Sequence, residues 1–356
     1  MSAAEALARH PPLPPFVPDP GVPLTLAQLS HFLRQPAKAF FRHRLRVVFD
    51  EQAAGVHDDE CFEVDRLQDY GLVRELLAKA TAQPGQDGGQ ARVALALSRV
   101  RLAGQLPMAG LGDNKQQALQ ALVHTMLHAW HAAQDRFGLA AQRVLIRLQV
   151  DGVLLQDWVD HLLQVKPSAQ AQQPADVPVA THAWLELEPG RLLTDTKKPS
   201  ARPEKLLAHW VRSLAIAASG RLAQGVVVGR DGVLEIAPME QDQAQATLSM
   251  LLRVWLDGMQ APLPLPPKTA LAWVAGKDAA GQYQGSPDSP QQIADVSEAC
   301  LARVFPDFEA LCADGRFATL AGQVYAPLLT WAKQHVSAYR HAGEPAPDTA
   351  DDLGDD

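Results

Sequence analysis

The chain has 356 residues, 47% of them hydrophobic, and its 32 Lys and Arg against 40 Asp and Glu give a net charge of −8. That length allows one large domain or two ordinary ones with a sizeable core, and no run approaches the roughly 20 apolar residues of a membrane span. The acidic balance excludes a general polycation for nucleic acid, so any DNA contact must come from a local basic patch.

Residues 1–23 read as a proline-rich linker, with Pro11, Pro12, Pro14, Pro15, Pro18 and Pro20 preventing a helix. They hold no basic segment ahead of an apolar one, so they do not read as a signal peptide. A proline-rich opening also fits a piece cut from a longer chain. Thr25 with Gln28 three residues on predicts a capping box for a helix carrying Leu26, Leu29, Phe32 and Leu33. Pro36 breaks that helix, and a second stretch from Ala37 to Leu45 brings in Phe40 and Phe41. Lys115 to Phe137 is the clearest amphipathic helix, with Leu119, Leu122, Met126, Trp130, Ala133 and Phe137 on one side.

The period then changes. Ile146, Leu148 and Val150 alternate with polar residues, Asp151-Gly152 turns, and Val153 to Asp160 returns as a hairpin partner. Trp184 to Glu188 alternates again, Pro189-Gly190 turns, and Leu192 and Leu193 lead a strand into Asp195. Glu204 to Ala218 predicts a helix capped by Gly220, and Val226 to Val228 and Val233 to Ile236 flank a turn at Asp231-Gly232. A helix from Gln241 to Asp257 should stop at Gly258, and Ala261 to Pro267 should run as an extended strap. The acidic, apolar-poor residues 343–356 read as a disordered tail, leaving 24–342 as the folded domain. The order of elements predicts an α/β (α+β) layer fold.

Three groups could carry chemistry. Asp160 at the end of one strand and Asp195-Thr196-Lys197 at the end of another follow the D…(D/E)-x-K logic of metal-dependent nucleases. Two carboxylates would hold Mg²⁺, and a lysine two residues on shares a strand face with the second acid. The plain alternative is solvated strand ends with a lysine at a turn. His124, His128 and His131 recur at metal-like spacing, but they lie opposite the apolar stripe, on a water-facing side with no further ligand type to close a site. Arg34, Lys38 and Arg42, with Arg44 and Arg46 behind, form the densest basic cluster and could contact phosphates. The alternative there is an ordinary polar helix face over buried aromatics. Three cysteines, Cys61, Cys300 and Cys312, form no C-x-x-C pair, which argues against zinc or an iron–sulfur cluster and for reduced thiols in a cytoplasm. No P-loop, G-x-G-x-x-G or G-x-S-x-G occurs.

Five segments in order resemble the RecC C-terminal domain family, the gamma-subunit family of exodeoxyribonuclease V. They are Leu24 to Arg42 ("L-x-x-L-x-x-F-x-x-x-P-x-x-x-F-F-x-x-R-L"), Leu106-Pro107 with Gly110 and Gly112, Asp151-Gly152 to Trp158, Trp210 to Gly220, and Gly258-Met259 through Ala272-Trp273. The resemblance implies a restriction-endonuclease-like (PD-(D/E)XK-type) core, a mixed sheet flanked by helices, with a degenerate active site. It implies a non-catalytic subunit domain of the RecBCD helicase–nuclease in double-strand-break repair and homologous recombination. Such a domain packs on RecB-type and RecD-type subunits and engages double-stranded DNA ends where the strands are split, while ATP hydrolysis and cutting belong to the partners. No cofactor and no membrane are expected. Active relatives carry a histidine where Gln116 stands, and iron–sulfur relatives a cysteine where Gln35 stands. Under the alternative of an active nuclease, Asp160, Asp195 and Lys197 would use Mg²⁺.

Overall fold

The computed structural model describes residues 13–49, 65–82, 89–140, 143–160, 162–166, 180–285 and 293–341. Cys61, residues 1–12 of the proline-rich stretch and the acidic tail lie outside them.

The described chain opens with helix α1 (Leu26–Arg34), a short α2 (Pro36–Ala39) and a π-helical turn over Phe40–Leu45. Three longer helices follow: α3 (Arg66–Thr81), α4 (Gly89–Leu102) and α5 (Ala109–Asp135). Strands β1 (Phe137–Ala140), β2 (Val144–Val150), β3 (Val153–Val159), β4 (Leu163–Val165) and β5 (His182–Leu187) come next. Then α6 (Leu207–Ala218), β6 (Ala223–Val228), β7 (Val233–Ile236) and α7 (Gln241–Gln260) lead to shorter helices, α8 (Pro267–Val274), α9 (Ala279–Gln284), α10 (Ala299–Val304) and α11 (Phe308–Cys312). Helix α12 (Arg316–His335) and strand β8 (Val336–Tyr339) close the described chain.

The predicted elements between 24 and 257 are present with shifted ends, except the strand expected from Leu192 into Asp195, which is a loop. Asp151 and Gly152 have φ of 48° and 84°, the left-handed pair that a two-residue hairpin turn requires. A further expectation needs correction: Gly258 does not stop its helix, which continues to Gln260. A Cβ at Gly258 would lie 2.4 Å from the Phe32 ring, so the glycine permits close helix packing there rather than ending the helix.

The chain divides into two compact units. The first takes its described residues from Met1–Glu51, Leu145–Asp157 and Ala246–Pro327. Its helices α1 and α2 bury Leu29, Phe32, Leu33 and Ala37, and the Tyr325 hydroxyl donates to the Leu33 carbonyl at 3.0 Å. Phe40 and Phe41 pack on Cys300 and Leu301. The second unit holds a six-stranded mixed sheet in the order β1-β4-β5-β6-β7-β8. Only β5 and β6 pair in parallel, through the α6 crossover; the other pairs are antiparallel. Side chains on successive strand residues point to opposite faces. Ala183, Val226 and Val228 meet the α3–α5 core of Val73, Leu97, Leu119, Val123 and Met126. Trp184 points the other way and stacks on His209 of α6, with ring centroids 6.0 Å apart. A parallel pair covered on both faces explains the near-continuous apolar run of β6.

Gly225 lies beneath Trp184, and a Cβ there would come within 2.3 Å of the indole. The ring is 2% exposed and has nowhere to go. Gly225→Ala should therefore destabilise the fold by about 1–3 kcal/mol through overpacking, read as a lower urea midpoint with an unchanged m-value.

Candidate nucleic-acid interface

The local sequence around α1 builds a basic surface. Thr25 caps the helix: its hydroxyl accepts the Gln28 N–H at 3.1 Å, and its own N–H donates to the Gln28 side chain at 2.8 Å. The Asp157 carboxylate accepts the Leu26 N–H at 2.9 Å, a favourable place for an anion at a helix N-terminus. With the apolar stripe buried, His31 and Arg34 remain outside. The π-helical turn then widens the backbone, and Arg46 closes it in the left-handed region with φ 59°. Phe40 and Phe41 point inward; Arg42, His43 and Arg46 are exposed, and Lys38 and Arg44 are half-buried.

The electrostatics show how close these charges are. Burial lowers the His31 pKa, and Arg42, Arg34, His43 and Lys38 lower it further. Burial also lowers that of His43, helped by Arg42 and Arg46. Both imidazoles are therefore held toward the neutral form, first by burial and then by neighbouring cations. Arg44 differs from the rest of the cluster. It donates to the Pro14 carbonyl and lies over the Phe16 ring at 5.7 Å, so its charge holds the preceding segment in place.

The carboxylate and lysine set is arranged differently from the expectation. Strand β5 ends at Leu187, and residues 191–201 form a loop closed by a Leu193–Ala201 bridge, not a strand. Thr, Asp, Ser and Pro in this stretch favour turns over ladders. The Thr194 hydroxyl accepts the Ser200 N–H at 3.2 Å, and that of Thr196 donates to the Lys198 carbonyl at 2.7 Å. Asp195 and Lys197 thus lie in one bend rather than on a shared strand face. Arg202 donates to Asp195 at 2.9 Å and Arg191 stands 3.5 Å from it. Asp160 is exposed just past β3 and has no hydrogen-bond or ion-pair partner among the described residues. His124 and His128 are exposed on α5, opposite buried Val123 and Met126. Among the described residues no group of three or more His, Cys, Asp or Glu stands close enough to hold a metal ion.

Two polar clusters in the second unit escape sequence reasoning. Asp69 on α3 is 8% exposed and bonds Lys115 of α5 at 2.5 Å and Arg230 of the β6–β7 turn. Burial alone would raise its pKa, but hydrogen bonds from Lys115 and Arg230 outweigh that and hold it below the usual range. Glu186 on β5 accepts from Arg212 of α6 at 2.9 Å. His209 Nδ1 lies 3.3 Å from the same carboxylate without hydrogen-bond alignment. Partners separated by 46 and 161 positions leave no sequence signal for the Asp69 cluster.

A mixed sheet flanked by helices in one unit, and a concentrated basic helix face in the other, define an α/β protein with a local basic surface. The family model for the RecC C-terminal domain matches residues 22–278, and the chain belongs to that family. It is 28% identical over 269 residues to the RecBCD enzyme subunit RecC of Escherichia coli (strain K12). The alignment covers 74% of this chain and 20% of that protein, so the chain spans about a fifth of the length of the relative it matches.

Asp69→Asn keeps the side-chain shape and removes the charge that Lys115 and Arg230 share. It should cost about 2–3 kcal/mol at neutral pH, below the cost of orphaning fully buried charges because both cations reach solvent. Because folding lowers the Asp69 pKa, its contribution is complete above the unfolded value of about 4 and fades as pH falls through the folded value. Urea unfolding of both proteins should give a constant gap from neutral pH to about 4 that closes in stronger acid.

Proposed function

We propose that this chain acts as the C-terminal RecC domain of a RecBCD-type helicase–nuclease, exodeoxyribonuclease V, in double-strand-break repair and homologous recombination. In this reading it packs on RecB-type and RecD-type subunits in the cytoplasm and engages double-stranded DNA ends at the strand-splitting junction. It does not cut DNA and needs no cofactor; ATP hydrolysis and cleavage are the partners' work. The observation that carries the DNA contact is the basic face of α1, α2 and the π-helical turn. There, three exposed arginines, Arg34, Arg42 and Arg46, meet no carboxylate among the described residues.

A restriction-endonuclease-like core is the finer reading of the sheet. It rests on the element order: the antiparallel strands β1, β4 and β5, the crossover helix α6, and the parallel strand β6. Loss of cutting is supported by the pairing of Asp195 with two arginines, which occupy the carboxylate a metal would need, and by Gln116 at the histidine position of active relatives.

Charge reversal of Arg34, Lys38 and Arg42 to Glu should weaken binding of a duplex end. It should also reduce the slope of log affinity against log salt by about 2–3, near 0.9 for each lost phosphate contact. An unchanged slope would remove this face from the DNA interface. In Mg²⁺ or Mn²⁺ the purified chain should leave linear DNA intact. Cleavage that disappears in Lys197→Ala would instead make the chain an active nuclease.

A further inference from the structure

A cleft of about 340 Å³ opens in the first unit beside the basic face. Phe32, Trp255 and Met259 form part of its wall, Phe16 closes one side, and His43 and Arg46 stand on its lining. One carboxylate, Asp19, also lines it, and its oxygen accepts the Gly21 N–H at 2.8 Å.

The aromatic side of the cleft is built to hold its shape. Gln260 pairs with the backbone of Phe16 in both directions: its amide accepts the Phe16 N–H at 2.8 Å and donates to the Phe16 carbonyl at 2.9 Å. Arg44 anchors the same segment two residues earlier, at the Pro14 carbonyl. Phe16 therefore stands edge-on to Trp255 with centroids 5.7 Å apart, and both rings are half-buried. An aromatic pair with accessible surface, lining an unfilled space, suits a planar ring. The cations beside it suit an anion. A positively charged track with aromatic platforms is the chemistry that holds single-stranded nucleic acid, because every base has a π-face and every linkage a charge. A base within a duplex is already stacked and cannot enter such a space without being flipped out.

We propose that this cleft takes one unstacked base of single-stranded DNA in its open space, against the accessible surface of Phe16 and Trp255, with the flanking phosphates on Arg42 and Arg46. The proposal rests on the reading of the basic face as a DNA surface and names the strand form that it selects. Duplex DNA meets the cations alone; a separated strand meets the cations and the aromatic cleft.

The test compares three labelled probes against the full chain by fluorescence anisotropy: an oligothymidylate, an abasic strand of the same length, and a duplex. The oligothymidylate should bind about tenfold or more tighter than the abasic strand, the worth of one stacked base. Trp255→Leu should bring the oligothymidylate down to the abasic affinity without changing its salt slope, while Arg46→Glu should lower the slope by about one. The abasic comparison uses the unaltered protein and stands even if Trp255→Leu fails to fold. Equal affinity for oligothymidylate and abasic strand overturns the cleft assignment and leaves the basic face intact. No salt-dependent binding of any probe overturns both. A proline-rich peptide that binds at Trp255 while the oligothymidylate does not would give the cleft to a protein partner and also overturn the assignment.

Discussion

Two parallel strands cannot be joined by a tight turn, so β5 and β6 need a crossover long enough to span the sheet and return. Helix α6 is that crossover, and much of the second unit follows from it. The helix must bury one face of the sheet, which places Trp184 between β5 and His209 and forces a glycine at 225. The opposite face is left for α3, α4 and α5. The same crossover requires a connection after β5, and residues 191–201 are shaped as a separate loop within it. Asp231 at the β6–β7 turn accepts the N–H groups of Leu192 and Leu193 at 2.8 and 3.1 Å, so the turn after one strand fastens the loop after its neighbour. The segment that reads as a catalytic strand end is bound to the far side of the crossover instead.

Charged groups in this chain divide by what surrounds them. Asp69 is buried and survives ionised only because two cations reach it; one cation would have to offset its whole desolvation cost. Arg44 is spent on a carbonyl and a ring, which removes it from any ligand surface although its neighbours in sequence face water. Among the described residues Arg42 and Arg46 show no such engagement; after burial, Arg42 helps lower the pKa of His31, and Arg42 and Arg46 help lower that of His43. A face on which several cations lie close together is one on which a phosphate would lower the local energy.

Much of the first half of the fold was legible because its signals are local. The capping box at Thr25, the hairpin turn at Asp151-Gly152 and the stripe from Leu119 to Ala133 each lie within a few turns or residues. Strands β1, β4 and β8, at four, three and four residues, are too short to show a period, and long-range pairing alone makes them strands. Gly258 misled because a glycine near the end of an apolar pattern also marks a helix stop, whereas here it admits the Phe32 ring. At Asp195-Thr196-Lys197 a three-residue pattern competed with its own turn chemistry. Hydroxyls and proline on both sides decided for the loop. The basic cluster was visible as sequence, but its division into exposed arginines and an anchoring Arg44 depended on where Pro14 and Phe16 lie.

The negative net charge and the basic face are compatible because of range. At physiological salt the Debye length is about 8 Å, so acidic residues elsewhere on the surface barely reduce the field at Arg34, Arg42 and Arg46. They do reduce long-range steering, which depends on the summed charge of the whole molecule. A net charge of −8 therefore adds no long-range attraction for DNA, while the local basic face keeps its own short-range field. That asymmetry is compatible with the proposed role of a domain whose partners load the substrate.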